Sequence, residues 1–461
     1  MRKNLLLFAL IAILIVACNN EDDTGSVVNL SHRNLLIPAE IMGMVHAGYY
    51  HESNRVPDNK EREFALLDEM GVIWMLRDFS WSTIQPSKDI WNFDTFDRYI
   101  EYAEQYNKKI LAILDYDVAW IHENCNHMVG NPPRRRVVAG GDEVAAFVEY
   151  TRRTVERYKG KVGAWSIWNE PNLFPRFWTG TPEEFFILTK ATAAAIREVD
   201  PNAIILGGGT NTVADDEIWT RGLFESGAMA QVDYFSYHPY MPDATTTGRA
   251  FARFRDYLTK YNFENRIWIT EVGYPFDMGP GGYDTKVPAI EMPEMVIKTL
   301  VLLAAEGAQI ILWYELFDNG ANADVNDSEN WFGLVERDTL KKKGGADAYQ
   351  LFAHNVPGKT LRGTLSGSSD LPDYINGYYF EGSDGKHTMV IWTDRQSRTQ
   401  QLSVTLPGVN RRVWDVATGS STAIDETSTW TLKARDGVNK SFQFFTWENN
   451  DLTKMPHIIP R

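Results

Sequence analysis

The 461-residue sequence contains only two cysteines, Cys18 and Cys125, so at most one intrachain disulfide can form. Positive charge is also scarce: 46 lysines and arginines stand against 61 acidic residues, which gives a net charge of −15. This balance argues against nucleic acid and against an anionic membrane surface as partners, whereas neutral ligands remain compatible. Stability must come mainly from packing, for which a hydrophobic content of 44 % is ample.

The sequence has one strongly apolar run near its start, and this run is too short to span a bilayer. Met1-Arg2-Lys3 precedes the apolar residues 5–17, and Cys18 follows them. A basic start and an apolar stretch are typical of an export signal. The junction Ile15-Val16-Ala17-Cys18 resembles a bacterial lipobox, which implies cleavage before Cys18 and a lipid anchor on its thiol. Ordinary signal cleavage without lipidation is the alternative.

The acidic residues Glu21-Asp22-Asp23 resemble the surface-export signal of some Gram-negative lipoproteins. We therefore expect an exported lipoprotein of the outer membrane, displayed on the cell surface. Residues 1–17 are predicted as the lipoprotein signal peptide. Residues 18–36 are rich in Asn, Asp and Ser, and they are predicted as a polar tether between the anchor and the first folded domain.

Residues 37–355 alternate apolar runs with helical patterns. Eight runs are rich in β-branched and aromatic residues, as expected of strands buried on both faces of a parallel sheet. Eight strands, each followed by room for a helix, predict an α/β fold, a (β/α)8 TIM barrel. The helix that begins after Thr181 is the best marked, because Pro182 and Glu184 complete a capping box. The predicted strands are 41–47, 72–77, 110–114, 162–168, 203–206, 232–237, 266–270 and 309–314.

Residues 356–461 have a different pattern of short alternating runs separated by Gly, Pro, Asn and Asp. This pattern predicts a C-terminal antiparallel β-sandwich as an accessory domain. Such a domain either covers barrel surface or binds carbohydrate, and we favour the structural role.

Two glutamates follow predicted barrel strands. Glu170 comes after the fourth strand in Trp168-Asn169-Glu170-Pro171, and Glu271 ends the seventh in Ile269-Thr270-Glu271. Because parallel strands of a barrel end on one face, the two carboxylates should converge over its mouth. Cleavage of a glycosidic bond needs such a pair. Each glutamate taken alone is equally well a solvated charge in a loop.

The sequence around Glu170 resembles a known family. The run Trp168-Asn169-Glu170-Pro171-Asn172-Leu173, with Phe177-Trp178 and Thr181-Pro182-Glu183-Glu184-Phe185 behind it, is similar to the acid/base region of glycoside hydrolase family 39, which includes β-xylosidases. The Asn-Glu-Pro motif is shared by clan A of the retaining glycoside hydrolases. The likeness spans roughly residues 40–355. It implies that Glu170 is the general acid/base and Glu271 the nucleophile.

The resemblance also implies roles for polar residues. Arg77, at the end of strand two, would hydrogen-bond Glu271 and hold its pKa down, although a rim salt bridge with Asp78 or Glu170 is equally open. Asn169 would bind the sugar 2-hydroxyl, or it forms an Asx turn.

His238 and Tyr240 match the His-x-Tyr pattern of the clan, in which the tyrosine hydroxyl contacts the nucleophile. From the residues alone, His238 would be a satisfied buried histidine. Trp313 is the first candidate for stacking on a sugar ring, with Trp120 and Trp178 as further candidates, although some of these tryptophans must serve packing only. His46 is a weaker candidate for binding a sugar hydroxyl.

No cofactor or metal is expected, because retaining hydrolysis needs neither. Residues 122–127 offer a His/Cys/His set with too few ligands for structural zinc. Residues 322–327 alternate oxygen ligands like a calcium loop but lack its glycine and its final acidic residue.

The sequence therefore predicts a retaining glycoside hydrolase that cleaves an equatorial, β-type bond in a poly- or oligosaccharide by double displacement. Two alternatives stay open: a surface glycan-binding protein on the same fold that has lost turnover, and a transglycosylase. The sugar, the linkage and the choice between exo and endo action do not follow from the sequence.

Overall fold

The computed structural model describes residues 31–47, 60–121, 141–211, 216–277, 287–318, 327–365, 371, 374–394, 399–433, 442–451 and 454–460. The predicted signal peptide 1–17, the predicted lipidation site Cys18 and the zinc-like segment 122–127 lie outside these ranges. So does nearly all of the calcium-like segment 322–327. Within the described ranges, no helix combines the length and the apolar character needed to cross a membrane.

Most of the described residues belong to strands or α-helices. The strands are β1 (Ser31–Leu36), β2 (Met42–Val45), β3 (Trp74–Asp78), β4 (Lys109–Leu114), β5 (Ala164–Ile167), β6 (Ile205–Asn211), β7 (Tyr234–His238), β8 (Ile267–Val272), β9 (Phe276–Asp277), β10 (Val287–Pro288), β11 (Ile311–Trp313), β12 (Thr360–Thr364), β13 (Ile375–Glu381), β14 (Lys386–Thr393), β15 (Thr399–Thr405), β16 (Val409–Trp414), β17 (Ser421–Ala423), β18 (Thr427–Lys433), β19 (Phe442–Glu448) and β20 (His457–Pro460). The helices are α1 (Lys60–Met70), α2 (Trp81–Ile84), α3 (Asp94–Gln105), α4 (Gly141–Tyr158), α5 (Pro182–Val199), α6 (Asp216–Glu225), α7 (Ala244–Leu258), α8 (Met292–Ala305) and α9 (Gly344–Asn355).

Eight parallel strands close a barrel in the order β11-β2-β3-β4-β5-β6-β7-β8. Each lies where the sequence predicts a strand, so the (β/α)8 barrel is confirmed. Apolar side chains fill its interior, among them Trp74, Leu76, Leu111, Leu206, Trp268 and Leu312. The carboxyl ends of all eight strands open on one face, which we call the mouth of the barrel.

Helix α5 begins as its sequence predicts. The Thr181 hydroxyl accepts a hydrogen bond from the backbone N–H of Glu184, and the Glu184 carboxylate accepts one from the backbone N–H of Thr181. Pro182 is the first helical residue. Because this cap fixes where α5 starts, it also fixes the length of the loop between β5 and α5, which carries Glu170.

The C-terminal residues form the predicted β-sandwich. A seven-stranded antiparallel sheet has the order β1-β12-β13-β14-β19-β16-β17, and a three-stranded sheet has the order β18-β15-β20. The boundary predicted at residue 355 falls between α9 and β12. The side chains buried between the two sheets include Ile375, Tyr379, Met389, Ile391, Leu402, Val404, Phe445 and Ile458.

The predicted tether is too long at its C-terminal end. Residues Ser31–Leu36 form β1, which pairs with Thr360–Thr364 of β12 at the edge of the larger sheet. The prediction of a tether for 31–36 is therefore wrong. An edge strand has a neighbour on one side only and tolerates polar residues, so its composition resembles that of a linker.

The larger sheet also packs against the barrel. Its face opposite the smaller sheet presents Phe380, Val390, Trp392 and Phe444, which belong to one continuous core with Phe352 of α9. This burial supports the structural role that the sequence analysis favours for the sandwich.

Candidate active site

Glu170 and Glu271 meet at the mouth of the barrel. Glu170 lies in the loop after β5 with a positive φ of 42°, and Glu271 lies in β8. Only 5 % of Glu170 and 9 % of Glu271 is exposed. One carboxylate oxygen of each glutamate and one ring nitrogen of His238 all lie within 4.8 Å of one another. This approach agrees with a retaining pair, whose carboxyl groups lie about 5 Å apart, better than with the wider spacing of an inverting pair.

Two side chains contact the carboxylate of Glu170. The Asn211 side-chain amide donates a hydrogen bond to Oε1 over 2.6 Å, and Nδ1 of His238 lies 2.9 Å from the same oxygen. Asn211 was not predicted from the sequence, because the predicted fifth strand ends at Leu206, before the glycines Gly207–Gly209. Strand β6 continues through these glycines and brings Asn211 to the mouth.

Glu271 accepts a hydrogen bond of 2.8 Å from the hydroxyl of Tyr240, the contact that the His-x-Tyr pattern implies. Burial raises the pKa of Glu271 to about 7. The charge of His238 and the Tyr240 hydrogen bond lower it, whereas the charge of Glu170 raises it further. The expected low pKa of Glu271 is therefore wrong, because desolvation outweighs the contacts that lower the pKa.

His238 lies between the two carboxylates. It is buried, with Nδ1 at 2.9 Å from Glu170 and 3.6 Å from Glu271. Burial disfavours the imidazolium, but the charges of Glu271 and Glu170 outweigh it and raise the pKa of His238. The imidazole can therefore share protons with both glutamates. These three side chains could also face a metal ion, yet Asn211 and Tyr240 already donate to the two carboxylates.

His46 and Glu315 form a second polar pair at the mouth. Nδ1 of His46 lies 2.5 Å from Oε2 of Glu315. Burial opposes protonation of His46, but the hydrogen bond with Glu315 and the surrounding carboxylates prevail and raise its pKa. Oε1 of the buried Glu315 has no hydrogen-bond partner among the described residues. His46 was predicted as a candidate from the sequence and Glu315 was not, although Glu315 is a polar residue just after the eighth strand.

The contacts of Asn169 and Arg77 in the structure do not test the roles predicted for these two residues. The Asn169 side-chain amide donates a 3.2 Å hydrogen bond to the hydroxyl of Tyr116. The Arg77 guanidinium lies 5.1 Å from the ring centroid of Tyr99 and 5.9 Å from that of Phe96, both in α3. Binding of the sugar by Asn169 and of Glu271 by Arg77 therefore stay predictions.

Two of the predicted stacking residues are buried in the core. Trp313 and Trp178 are both 0 % exposed, so the prediction that their rings stack on sugars is wrong. Trp313 packs against Tyr274, and the Trp178 ring packs between Trp168 and Phe185.

Other aromatic residues border the mouth instead. Tyr314, the residue after Trp313, lies 5.3 Å from both the His46 ring and the Phe332 ring, measured between centroids. Trp120 is partly buried, and its indole N–H donates to the backbone oxygen of Gln85 over 2.9 Å. Stacking by Trp120 stays a prediction.

Residues 66–264 match the family model described as glycosyl hydrolases family 39. The predicted resemblance to this clan A family is confirmed. The match includes Glu170 and ends before Glu271. A β-xylosidase from Caldicellulosiruptor saccharolyticus is 39 % identical over 98 residues, which are 21 % of this chain and 20 % of that protein. The chain thus matches about one fifth of the length of this curated relative.

Solved structures share the fold. A family 39 glycoside hydrolase from the gut symbiont Bacteroides cellulosilyticus WH2 has a TM-score of 0.67 at 18 % identity, over 88 % of this chain and 80 % of that chain. A family 39 β-xylosidase from Caulobacter crescentus has a TM-score of 0.59 at 14 % identity, over 93 % and 98 % of the two chains. Both similarities agree with the architecture of a barrel and a β-sandwich.

Proposed function

We propose that this chain is a retaining glycoside hydrolase with Glu170 as general acid/base and Glu271 as nucleophile. The observation that carries the proposal is the approach of one oxygen of each carboxylate to within 4.8 Å at the mouth of the barrel. The family match supports the same class of reaction.

The reaction proceeds in two displacements. Glu271 attacks the anomeric carbon while the bond to the glycosidic oxygen breaks, and that oxygen takes the proton of Glu170. Glu170, now a carboxylate, accepts a proton from a water molecule whose oxygen attacks the same carbon and releases Glu271. Each displacement inverts the anomeric centre, so the product keeps the original configuration.

The neighbours of the two glutamates suit these roles. Tyr240 and His238 stabilise the ionised form of Glu271, which the first step requires. Asn211 and His238 hold the Glu170 carboxyl group by Oε1, and no described residue forms a hydrogen bond with the other oxygen, which can therefore face the glycosidic bond.

The proposed substrate is a β-linked poly- or oligosaccharide. The clan chemistry requires an equatorial leaving group, and a relative that is 39 % identical over 98 residues is named a β-xylosidase. Xylose is therefore the first sugar to test. Tyr314 and Phe332 form an aromatic surface beside His46 and Glu315. A pyranose ring needs this combination of apolar surface and polar groups.

A panel of 4-nitrophenyl β-glycosides of xylose, glucose, galactose, mannose and glucuronic acid tests the activity. We expect release of nitrophenol from at least one of them, and NMR of the fresh product should show the β-anomer first. An α-anomer as first product would refute retention. Glycan binding without any hydrolysis would favour the alternative of a binding protein.

We also propose that the chain is an exported lipoprotein, anchored through Cys18 in the outer membrane at the cell surface. The lipobox-like junction before Cys18 supports this proposal. Cys18→Ala should abolish labelling by a fatty-acid probe and release active protein from membranes, whereas Cys125→Ala, the control, should stay anchored. Unchanged membrane association of Cys18→Ala would refute the lipobox.

A further inference from the structure

Two charged side chains face each other over the mouth of the barrel. Arg176 belongs to the loop after β5, and Glu329 to the loop after β11. In the closed order β11-β2-β3-β4-β5-β6-β7-β8, these two strands lie on opposite sides of the barrel. An Arg176 nitrogen nevertheless lies 3.7 Å from a Glu329 carboxylate oxygen. Arg176 and Glu329 therefore approach each other across the mouth of the barrel.

The Arg176 guanidinium and the Glu329 carboxylate can both form hydrogen bonds with a ligand. Their side chains are 46 % and 47 % exposed, and an ion pair as exposed as this adds little to stability. Among the described residues, neither the Arg176 guanidinium nor the Glu329 carboxylate makes a hydrogen bond. The guanidinium instead lies 4.8 Å from the ring centroid of Phe177. Within the described residues, the Arg176 donors and the Glu329 acceptors thus form an ion pair but no hydrogen bond.

The loop after β5 links Arg176 to the proposed acid/base Glu170 through backbone hydrogen bonds. The backbone N–H of Leu173 donates to the carbonyl of Glu170, and that of Arg176 donates to the carbonyl of Leu173, so consecutive turns carry the chain from the acid/base to the guanidinium. Phe177 stacks on Tyr116 with 6.0 Å between ring centroids. The Tyr116 hydroxyl in turn accepts the hydrogen bond from Asn169.

The position of Arg176 and Glu329 relative to Glu170 indicates which part of a substrate these two side chains contact. The acid must reach the glycosidic oxygen, so the leaving group lies on the side of Glu170, while the sugar that is attacked lies on the side of Glu271. Although about half of the Glu329 side chain is exposed, partial desolvation raises its pKa, the Arg176 charge lowers it, and the charges of Asp327, Glu170 and Glu315 raise it again.

We propose that Arg176 and Glu329 bind the sugar that leaves in the first displacement, by hydrogen bonds to two of its neighbouring hydroxyl groups. The guanidinium donates to one hydroxyl oxygen, and the carboxylate accepts from the next hydroxyl. This proposal rests on the proposed hydrolase function. It makes a saccharide, and not a simple alcohol, the natural leaving group.

Arg176→Ala and Glu329→Gln test the subsite with two substrates of the sugar that the glycoside panel selects: its 4-nitrophenyl glycoside and its β-1,4-linked disaccharide. Arg153→Ala is the matched control. Arg153 pairs with Glu149 at 2.7 Å and lies 4.3 Å from the Trp91 ring centroid, but it belongs to α4 on the outside of the barrel.

We expect Arg176→Ala to lower kcat/KM for the disaccharide about tenfold, the loss typical of a hydrogen bond to a charged group, with less than about a twofold change for the nitrophenyl glycoside. Glu329→Gln should retain part of the disaccharide activity, because the amide still forms a hydrogen bond. Arg153→Ala should change neither substrate. Equal losses on both substrates, or no loss on the disaccharide, would overturn the subsite while leaving the hydrolase proposal intact.

Transfer to an added sugar provides an independent measurement. An acceptor that intercepts the covalent intermediate must occupy the place of the leaving sugar, so Arg176→Ala should lower the ratio of transfer to hydrolysis at a fixed acceptor concentration. An unchanged ratio would contradict the subsite. A wild-type protein that cleaves no glycoside of the panel would overturn the hydrolase function and this subsite with it.

Discussion

The hydroxyl group of Tyr240 lies 2.8 Å from Oε2 of Glu271 and donates a hydrogen bond to it. This bond, together with the charge of His238, opposes the desolvation that raises the pKa of Glu271 to about 7. In the proposed mechanism only the ionised Glu271 attacks the anomeric carbon, so kcat/KM should fall as the pH drops below about 7.

Tyr240→Phe removes this hydrogen bond and retains the ring. We expect kcat/KM to fall about tenfold or more. The acidic limb of its pH profile should also move to higher pH, because the carboxylate loses a contact that lowers its pKa. Tyr349→Phe is the control, since Tyr349 is buried and donates to the backbone of Gly43. A pH profile unchanged in Tyr240→Phe would contradict the role of this contact.

The sequence predicted the barrel, the sandwich and the two glutamates, because each depends on a local pattern or motif. It was harder to predict which side chains of a strand point into the barrel. Strand eight and its flanks, Ile310-Ile311-Leu312-Trp313-Tyr314, are apolar or aromatic throughout, so alternation does not reveal which residues point inward. Trp313 was therefore predicted to stack on a sugar ring, whereas the next residue, Tyr314, is the one that borders the mouth.

Other features were beyond prediction for a different reason. Trp178 follows Trp168 and precedes Phe185 in one stretch of sequence, but residue spacing does not show that their two rings pack against it. The partner of Ser31–Leu36 is β12, far away along the chain. The ring contacts depend on the conformation of the loop between β5 and α5, and the pairing of β1 with β12 forms only when segments far apart in the chain come together.

Gly273 permits the close approach of β11 to the residues after Glu271. A Cβ atom at this position would lie 1.8 Å from the backbone oxygen of Tyr314. We expect Gly273→Ala to lower the free energy of unfolding by about 2 kcal/mol or more and to impair activity, because backbone atoms must shift. Gly141→Ala is the control, since its Cβ would meet nothing within 4 Å. Urea unfolding checks both variants, and equal midpoints would contradict the prediction.

The β-sandwich should unfold together with the barrel. Phe444 is 0 % exposed and belongs to the core shared with the barrel helices, so Phe444→Ala should cost about 3–5 kcal/mol of stability. Val409→Ala, at a position in the same sheet that is 59 % exposed, should change stability by less than about 0.5 kcal/mol. Calorimetry checks both variants. Separate transitions for the two domains would argue against the shared core.

Removal of each glutamate should distinguish their roles. Glu271→Ala should lose activity on every substrate, because no covalent intermediate forms without a nucleophile. Glu170→Ala should still form the intermediate from aryl glycosides with good leaving groups, which need little protonation, whereas its activity on natural glycosides should fall about 100-fold or more.

Azide provides the decisive comparison between these two variants. In Glu170→Ala it attacks the accumulated intermediate from the side opposite Glu271, so a β-glycoside should give a β-glycosyl azide. In Glu271→Ala it occupies the space of the missing carboxylate and displaces the leaving group directly, so the product should be the α-glycosyl azide. NMR of the two azides checks both outcomes. The opposite pair of products would reverse the assignment of acid/base and nucleophile, and full activity of both variants on natural glycans would place the reaction at another site.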